Sequence, residues 1–231
     1  MTEVLEQTIA GLPAPVQRSL RQSGVVGSKI PTSVEVWQKG RIRQAPKGRW
    51  LSFTAHEIYT LDQPGFVWNA ALKSAGITVG RATDSLRDGT GRMHVRVLGL
   101  FNVVDATGSE MDQGSLSRWL NETMWFPAVW ATDVISWVPI DENSAAGTVE
   151  AGGLSVQAEF QFDSEGRLID FRTDRYRDTG SGFELSSWST PLVEHARFSG
   201  IELPSRGSAV WNLEEDDFEY IQIRATDVRY T

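Results

Sequence analysis

Leu154, Val156, Ala158, Phe160 and Phe162 alternate without a break with Ser155, Gln157, Glu159 and Gln161. A period of two puts the first set on one face of a strand and the second on the other. This segment therefore meets a core on one side and water on the other, as strands of an antiparallel sheet do. The same period recurs along most of the chain. Val34, Val36 and Ile42 share one parity, as do Leu51, Phe53, Ala55 and Tyr59, then Phe66, Trp68, Ala70 and Leu72, then Met93, Val95 and Val97. Turn residues punctuate these runs: Asp88 to Gly91 reads as a hairpin turn, and Asp163 to Gly166 as a short hairpin loop. Further strands are expected near 133–140, 144–152, 183–189, 192–199, 207–213 and 218–230. An antiparallel sheet of so many strands must curl, split or be covered. The expected fold is mainly β (α+β), a single curved antiparallel sheet or incomplete β-barrel over residues 32–231.

Two stretches break the period. Residues 1–27 read as a helical N-terminal segment. Thr2 caps a turn running through Val4, Leu5 and Ile9, and Gly11 stops it. Pro13 and Pro15 suit the first turn of a second helix, in which Val16 and Leu20 share a face and Gly24 takes the left-handed position after its end. A helical insertion is expected at about 115–131, capped by Ser115, with Leu116, Trp119 and Leu120 on one face and Pro127 ending or restarting it. These helices are expected to cover the mouth or open face of the sheet. No repeat, low-complexity tract or linker divides the chain, so 1–231 is read as one domain.

Composition removes several classes of function. Lys+Arg 22 against Asp+Glu 30 leaves a net charge of -8, which argues against nucleic acid and against an anionic membrane surface as partners. The absence of cysteine excludes disulfides, thiolate metal sites and cysteine nucleophiles. No window is apolar for the roughly 18 residues of a membrane span, and the first residues lack the run of a secretory signal, so a cytoplasmic location is expected. The chain holds no G-x-S-x-G, P-loop, G-x-G-x-x-G or H-E-x-x-H pattern, and His56, His94 and His195 have no spacing that joins two imidazoles on one element. No cofactor and no metal are expected.

The densest chemistry lies in DQGSLSRWLNETMWFPAVW, residues 112–130. Arg118 and Glu122 fall four apart on the helix. One reading makes Glu122 an acid or base with Arg118 orienting it, because burial and a fixed cation tune a carboxylate in opposite directions. The other makes them a surface ion pair. Trp119, Trp125, Phe126 and Trp130 read as a ligand wall or as core, and tryptophans clustered with proline at a loop favour the wall. Six further tryptophans, Trp37, Trp50, Trp68, Trp137, Trp188 and Trp211, fall in expected strands, where they either rim a cavity for a flat apolar ligand or fill a barrel. Asp84 sits in a strand before a turn and could point into a cavity. His94 and His56 lie on the parity away from their apolar neighbours. Asp170, Arg172, Asp174 and Arg175 read as a solvated charge ladder, and Asp141 as the start of a turn.

The punctuation of the chain resembles a bacterial and archaeal family of proteins with a domain of unknown function. The resemblance rests on LPAPVQRSLRQSGVVG at 12–27, QKGRIR at 38–43, FTAHEIY at 53–59, PGFVWNA at 64–70, GTGRMHVRVLGL at 89–100, the 112–130 segment, VISWVPID at 134–141 and the tail AVWNLEEDDFEYIQIRATDVRYT. It implies a half-barrel similar to the lipoprotein-carrier folds of the bacterial envelope, with a helix over the concave face. It implies no reaction.

Two functional readings follow. The first is a small-molecule pocket protein acting as a cofactor-independent acid/base enzyme, a lyase, isomerase or hydrolase for an apolar or cyclic compound. Its parts are Glu122 as acid or base, Arg118 as its partner, Asp84 or His94 as second titrating group, and Trp125, Phe126, Trp130, Trp68 and Trp119 as wall. The alternative is a non-catalytic carrier of an apolar ligand or lipid. Titratable groups converging in the cavity would favour the enzyme, and an all-apolar cavity the carrier. A homo-oligomer held together by tryptophans is a third arrangement open to this sequence.

Overall fold

A computed structural model describes residues 3–97 and 101–231. Thr2, the expected first cap, lies outside the described residues. The N-terminal part forms α1 (Glu6–Ile9) and α2 (Ala14–Ser23). Helix α1 is shorter than expected. Val4 is held extended by bonds between its backbone and Ser28 and Gly27, so the helix starts only after Leu5, whose N–H is taken by the Thr8 hydroxyl. Helix α2 matches its expectation, with Val16 and Leu20 fully buried and Gly24 at φ 81°.

Strands β1 (Ser33–Ile42), β2 (Leu51–Thr60), β3 (Gly65–Ser74), β4 (Ile77–Arg87), β5 (Thr90–Val97) and β6 (Phe101–Ala106) form one meander. Helix α3 (Ser109–Glu122) follows, then two 3₁₀ turns at Thr123–Trp125 and Pro127–Ala131. A second run comprises β7 (Ile135–Pro139), β8 (Ser144–Ala151), β9 (Leu154–Phe162), β10 (Leu168–Asp178), β11 (Phe183–Ser189), β12 (Leu192–Phe198), β13 (Ile201–Asn212) and β14 (Phe218–Tyr230).

All fourteen strands belong to one antiparallel sheet in the order β6-β5-β4-β3-β2-β1-β14-β13-β11-β10-β9-β8-β7, with β12 paired to the first part of β13. The two meanders are joined at the centre, where Val34 of β1 lies opposite Tyr230 of β14 and Ile42 opposite Ile221. Among the described residues the edges β6 and β7 do not pair with each other, so the sheet is an open half-barrel rather than a closed barrel. Its curl is shown by α3, which touches β3, β4 and β5 on one arm and β8, β9 and β10 on the other. Helix α2 packs where β8, β13 and the Pro127–Ala131 turn converge, closing one end of the half-barrel.

The central helix begins earlier than expected. Gly108, at φ 117°, precedes its first turn, and Glu110 and Asp112 sit near the positive end of its dipole. Ser115 is no cap: its hydroxyl is buried within the helix. The helix docks on the β4–β5 hairpin at Gly91, whose N–H donates to the Asp112 carboxylate at 2.6 Å, and where a Cβ would come within 2.5 Å of the Met111 carbonyl oxygen. That hairpin turns at Asp88 and Gly89, both at positive φ. Among the described residues no helix is long and apolar enough to cross a membrane.

The alternating apolar residues converge on one core. Phe53, Tyr59, Trp119, Phe126, Trp130, Phe160 and Phe171 are all fully buried within it. Edge-to-face contacts chain Trp130 to Phe160 and Phe160 to Phe171, at ring separations of 5.6 and 5.0 Å.

Candidate functional site

Between α3 and the concave face lies a cavity of about 270 Å³. Trp68, Trp125, Trp188 and Trp211 wall it with Met93 and Ile221, and Asp84, Arg118 and Glu122 form its polar base. Three of these indoles are fixed by their N–H: Trp125 donates to the Pro204 carbonyl at 3.0 Å, Trp188 to the Tyr220 hydroxyl at 3.2 Å and Trp68 to Gln38 Oε1 at 2.9 Å.

The base is one guanidinium surrounded by three carboxylates. Arg118 donates from Nη2 to Glu57 Oε1 at 2.8 Å, from Nη1 to Asp84 Oδ2 at 2.6 Å, and from Nε to both oxygens of Glu122 at 3.0 and 3.1 Å. The three acidic side chains are 0%, 2% and 5% exposed and Arg118 is 13% exposed, so the pair read as a candidate surface bridge is buried. The Arg118 guanidinium lies 4.7 Å from the centre of the Phe66 ring and 5.2 Å from that of Trp68. Gln38 extends the network, donating from Nε2 to Glu57 Oε2 at 3.0 Å while its oxygen accepts from Trp68.

One cation cannot neutralise three carboxylates out of water, so full ionisation of the cluster is costly. Burial pushes Glu57 well above the usual carboxylate range, against the pull of Arg118, and the nearby Glu122 charge adds to the rise. Burial raises Glu122 too, with Arg118 opposing it. Burial also lifts the Tyr59 phenol, and the Glu122 and Glu57 charges lift it further. Burial alone would lower Arg118, but the charges of Glu122, Glu57 and Asp84 outweigh it and hold its proton more tightly.

A carboxyl raised in the fold stabilises it fully below the unfolded value, here 4.5, and loses that contribution as pH rises through the folded value. Relative to Glu57→Gln, the wild-type melting temperature is therefore expected to fall between pH 4.5 and neutrality. His195, lowered by burial, acts in the opposite sense but equally in both proteins, so the difference between the two curves is the readout. A difference that stays level across this window would mean that Glu57 is already ionised in the fold.

Of the residues singled out from sequence, Arg118, Glu122, Asp84, Trp68 and Trp125 come together at the cavity. His94 does not. It lies opposite Thr83 on β4 and Asp105 on β6, while its neighbour Met93 lies opposite Asp84 and lines the cavity. The strand period puts successive residues on opposite faces, so His94 faces out. His56 also faces out, paired with Glu35 at 2.7 Å and stacked on Trp37.

Trp119, Phe126 and Trp130 are core rather than wall. Trp119 donates to the Thr60 carbonyl at 3.2 Å and packs on Phe126, and Trp130 donates to the Thr123 hydroxyl at 2.8 Å among Trp137, Phe160 and Phe162. Trp37 and Trp50 lie under arginines, Trp37 beneath Arg229 and Trp50 beside Arg41 and Arg43.

Two members of the site had a signal that sequence reading passed over. Glu57 and Gln38 sit on the apolar parity of their strands, beside Ala55 and Tyr59 and beside Val36, where a polar residue must be bonded in the core. Arg175 is not part of a solvated ladder but lines the cavity. A register shift between Leu168 and Asp170 upsets the simple alternation of β10. Among the described residues no cluster of three or more His, Cys, Asp or Glu side chains is placed to hold a metal ion.

A curled antiparallel half-barrel with a helix laid across its concave face and an indole-walled cavity beneath defines the structural class. The chain belongs to the family of unknown function DUF6544, which matches residues 2–223. Among solved structures it is similar to a DUF1329 family protein from Desulfovibrio piger, at 11% identity over 99% of this chain and 94% of that one, with a TM-score of 0.51. It is also similar to a LolA superfamily protein from Nitrosomonas europaea, at 10% identity over 94% and 93% of the two chains, with a TM-score of 0.50. At these identities the likeness concerns the fold alone. No curated protein matches the sequence.

Proposed function

We propose that the protein is a non-catalytic binder, a carrier of an apolar or amphiphilic small molecule held in the cavity under α3. The observation that carries this reading is the lining: indole and aliphatic walls around a base where Arg118 spends its donors on Glu57, Asp84 and Glu122. A base whose guanidinium is engaged from within leaves apolar contact as the main attraction for a ligand, and a pocket of this kind takes a medium-sized organic molecule. The half-barrel shared with a LolA superfamily protein supports the same reading at the level of fold.

Titration with decanol, followed by tryptophan fluorescence, tests it. Saturable binding is expected, and Glu122→Gln is expected to leave it in place. Absence of saturable binding of decanol and of decanoate alike by the folded protein would overturn the proposal.

One observation favours the acid/base enzyme as second reading. Asp84 and Glu122 both line the cavity, and a carboxyl that keeps its proton above the usual range is what a general acid requires. Mass spectrometry of the natively purified protein, followed by denaturing extraction, supplies the compound to test. Conversion of that compound by the wild type and not by Glu122→Gln would establish the enzyme instead.

A further inference from the structure

We infer that the cavity selects an organic acid, an apolar chain or ring system ending in a carboxylate, and that Arg175 anchors the acid group. The inference rests on the reading of the cavity as an apolar-ligand site and specifies which ligands that site takes.

Three arginines line the cavity, Arg118, Arg175 and Arg206. Arg118 is surrounded by three carboxylates, and Arg206 pairs with Glu194 at 2.9 Å. Arg175 has no carboxylate within ion-pair distance among the described residues. It is nevertheless held in place. Its guanidinium lies over Trp188, 4.9 Å from the ring centre, its Nε donates to the Gly114 carbonyl at 3.0 Å, and its Nη1 reaches the Tyr220 hydroxyl at 3.4 Å. A guanidinium carries five N–H donors. These contacts use one on Nε and one on Nη1, leaving the rest of the fork uncommitted.

The helix backbone takes part in this arrangement, since the Gly114 carbonyl accepts from Arg175 Nε. Gly114 lies inside α3, where glycine is less favourable than alanine by about 1 kcal/mol. An alanine Cβ at that position would stand 3.4 Å from Arg175 Nε, an ordinary van der Waals contact, so the guanidinium lies directly against this turn of the helix. The result is a preorganised cation at the edge of an apolar space, with its charge unmatched from within the protein. A planar fork of this kind recognises a carboxylate through paired, charge-assisted hydrogen bonds.

The rest of the cavity fixes the orientation. The base offers an acid group no free cation, because Arg118 is engaged by Glu57, Asp84 and Glu122, while Trp211 and Ile221 offer apolar wall. The acid group therefore sits at Arg175 and the apolar body extends along the indoles.

Decanoate, decanol and decylamine share one chain and differ in head group, so their affinities isolate the anchor. Decanoate is expected to bind at least about tenfold more tightly than decanol, the difference one charge-assisted contact makes, and decylamine no better than decanol. Arg175→Gln is expected to remove the preference for decanoate, read as the ratio of decanoate to decanol affinity within the same folded variant. Arg175→Lys, which keeps the charge and loses the fork, is expected to retain part of the preference. Equal binding of decanoate and decanol, or a preference that survives Arg175→Gln, would overturn the anchor while leaving the apolar-ligand reading standing. Failure of both probes to bind the wild type would overturn both.

Discussion

Arg118→Met is expected to lose about 3 to 5 kcal/mol of folding stability at neutral pH, the range for removing one partner of a buried ion pair. The substitution keeps much of the volume packed beneath Phe66 and Trp68 and deletes only the charge and its donors. What remains is Glu57, Asp84 and Glu122 facing one another with side chains 5% exposed or less. Water cannot solvate them there, and their mutual repulsion no longer has a counter-charge. The fold can answer only by taking up protons, so the loss is expected to shrink as the pH is lowered toward 4.5. Urea unfolding at pH 7.5 and pH 5 measures both parts of the expectation. A loss at neutral pH no larger than that of an exposed ion pair, below about 1 kcal/mol, would show that the carboxyls need no cation.

Trp130→Ala is expected to destabilise by a similar amount, about 3 to 5 kcal/mol, through the cavity left when a large buried side chain is truncated. Trp130 is 2% exposed, meets Trp137, Phe160 and Phe162 at ring separations of 5.8, 5.6 and 6.2 Å, and satisfies the Thr123 hydroxyl with its N–H. Three rings would lose their edge contacts at once. Chemical denaturation gives the stability, and decanol titration of the folded fraction gives the second half of the test: affinity is expected to stay at the wild-type value, because Trp130 supports the core and does not line the cavity. A stable variant that binds decanol poorly would return Trp130 to the wall.

The contrast between Trp130 and Trp125 marks how far the sequence could be read. The strands were legible because alternation is a local property, and Leu154 to Phe162 shows the same faces in the fold as in the sequence. The fixed turns were legible as well: Asp88 and Gly89 turn a hairpin, and Gly24 ends α2. The pairing of Arg118 with Glu122 followed from helical spacing. That Asp84 and Glu57 join them depends on the curl that brings β2 and β4 beneath α3, and no local pattern encodes a curl. Which of the clustered aromatics face the cavity was hidden for the same reason. Trp125 and Trp130 sit in consecutive 3₁₀ turns, where neither period applies, and only the packed surroundings separate wall from core. Glu57 was the exception: a carboxylate on the buried parity of a strand is a signal in its own right.

The position of the seam between β1 and β14 bears on how the molecule is made. A ribosome releases β1 first among the strands and β14 last, yet these two are neighbours in the middle of the sheet. Each flanking meander can zip hairpin by hairpin as it emerges, but β1 and β13 both keep an unpaired row of backbone groups until β14 arrives between them. Synthesis thus passes through an interval in which two half-sheets present open edges to each other and to other chains. Strand β14 joins the two half-sheets and covers the edges of β1 and β13 together.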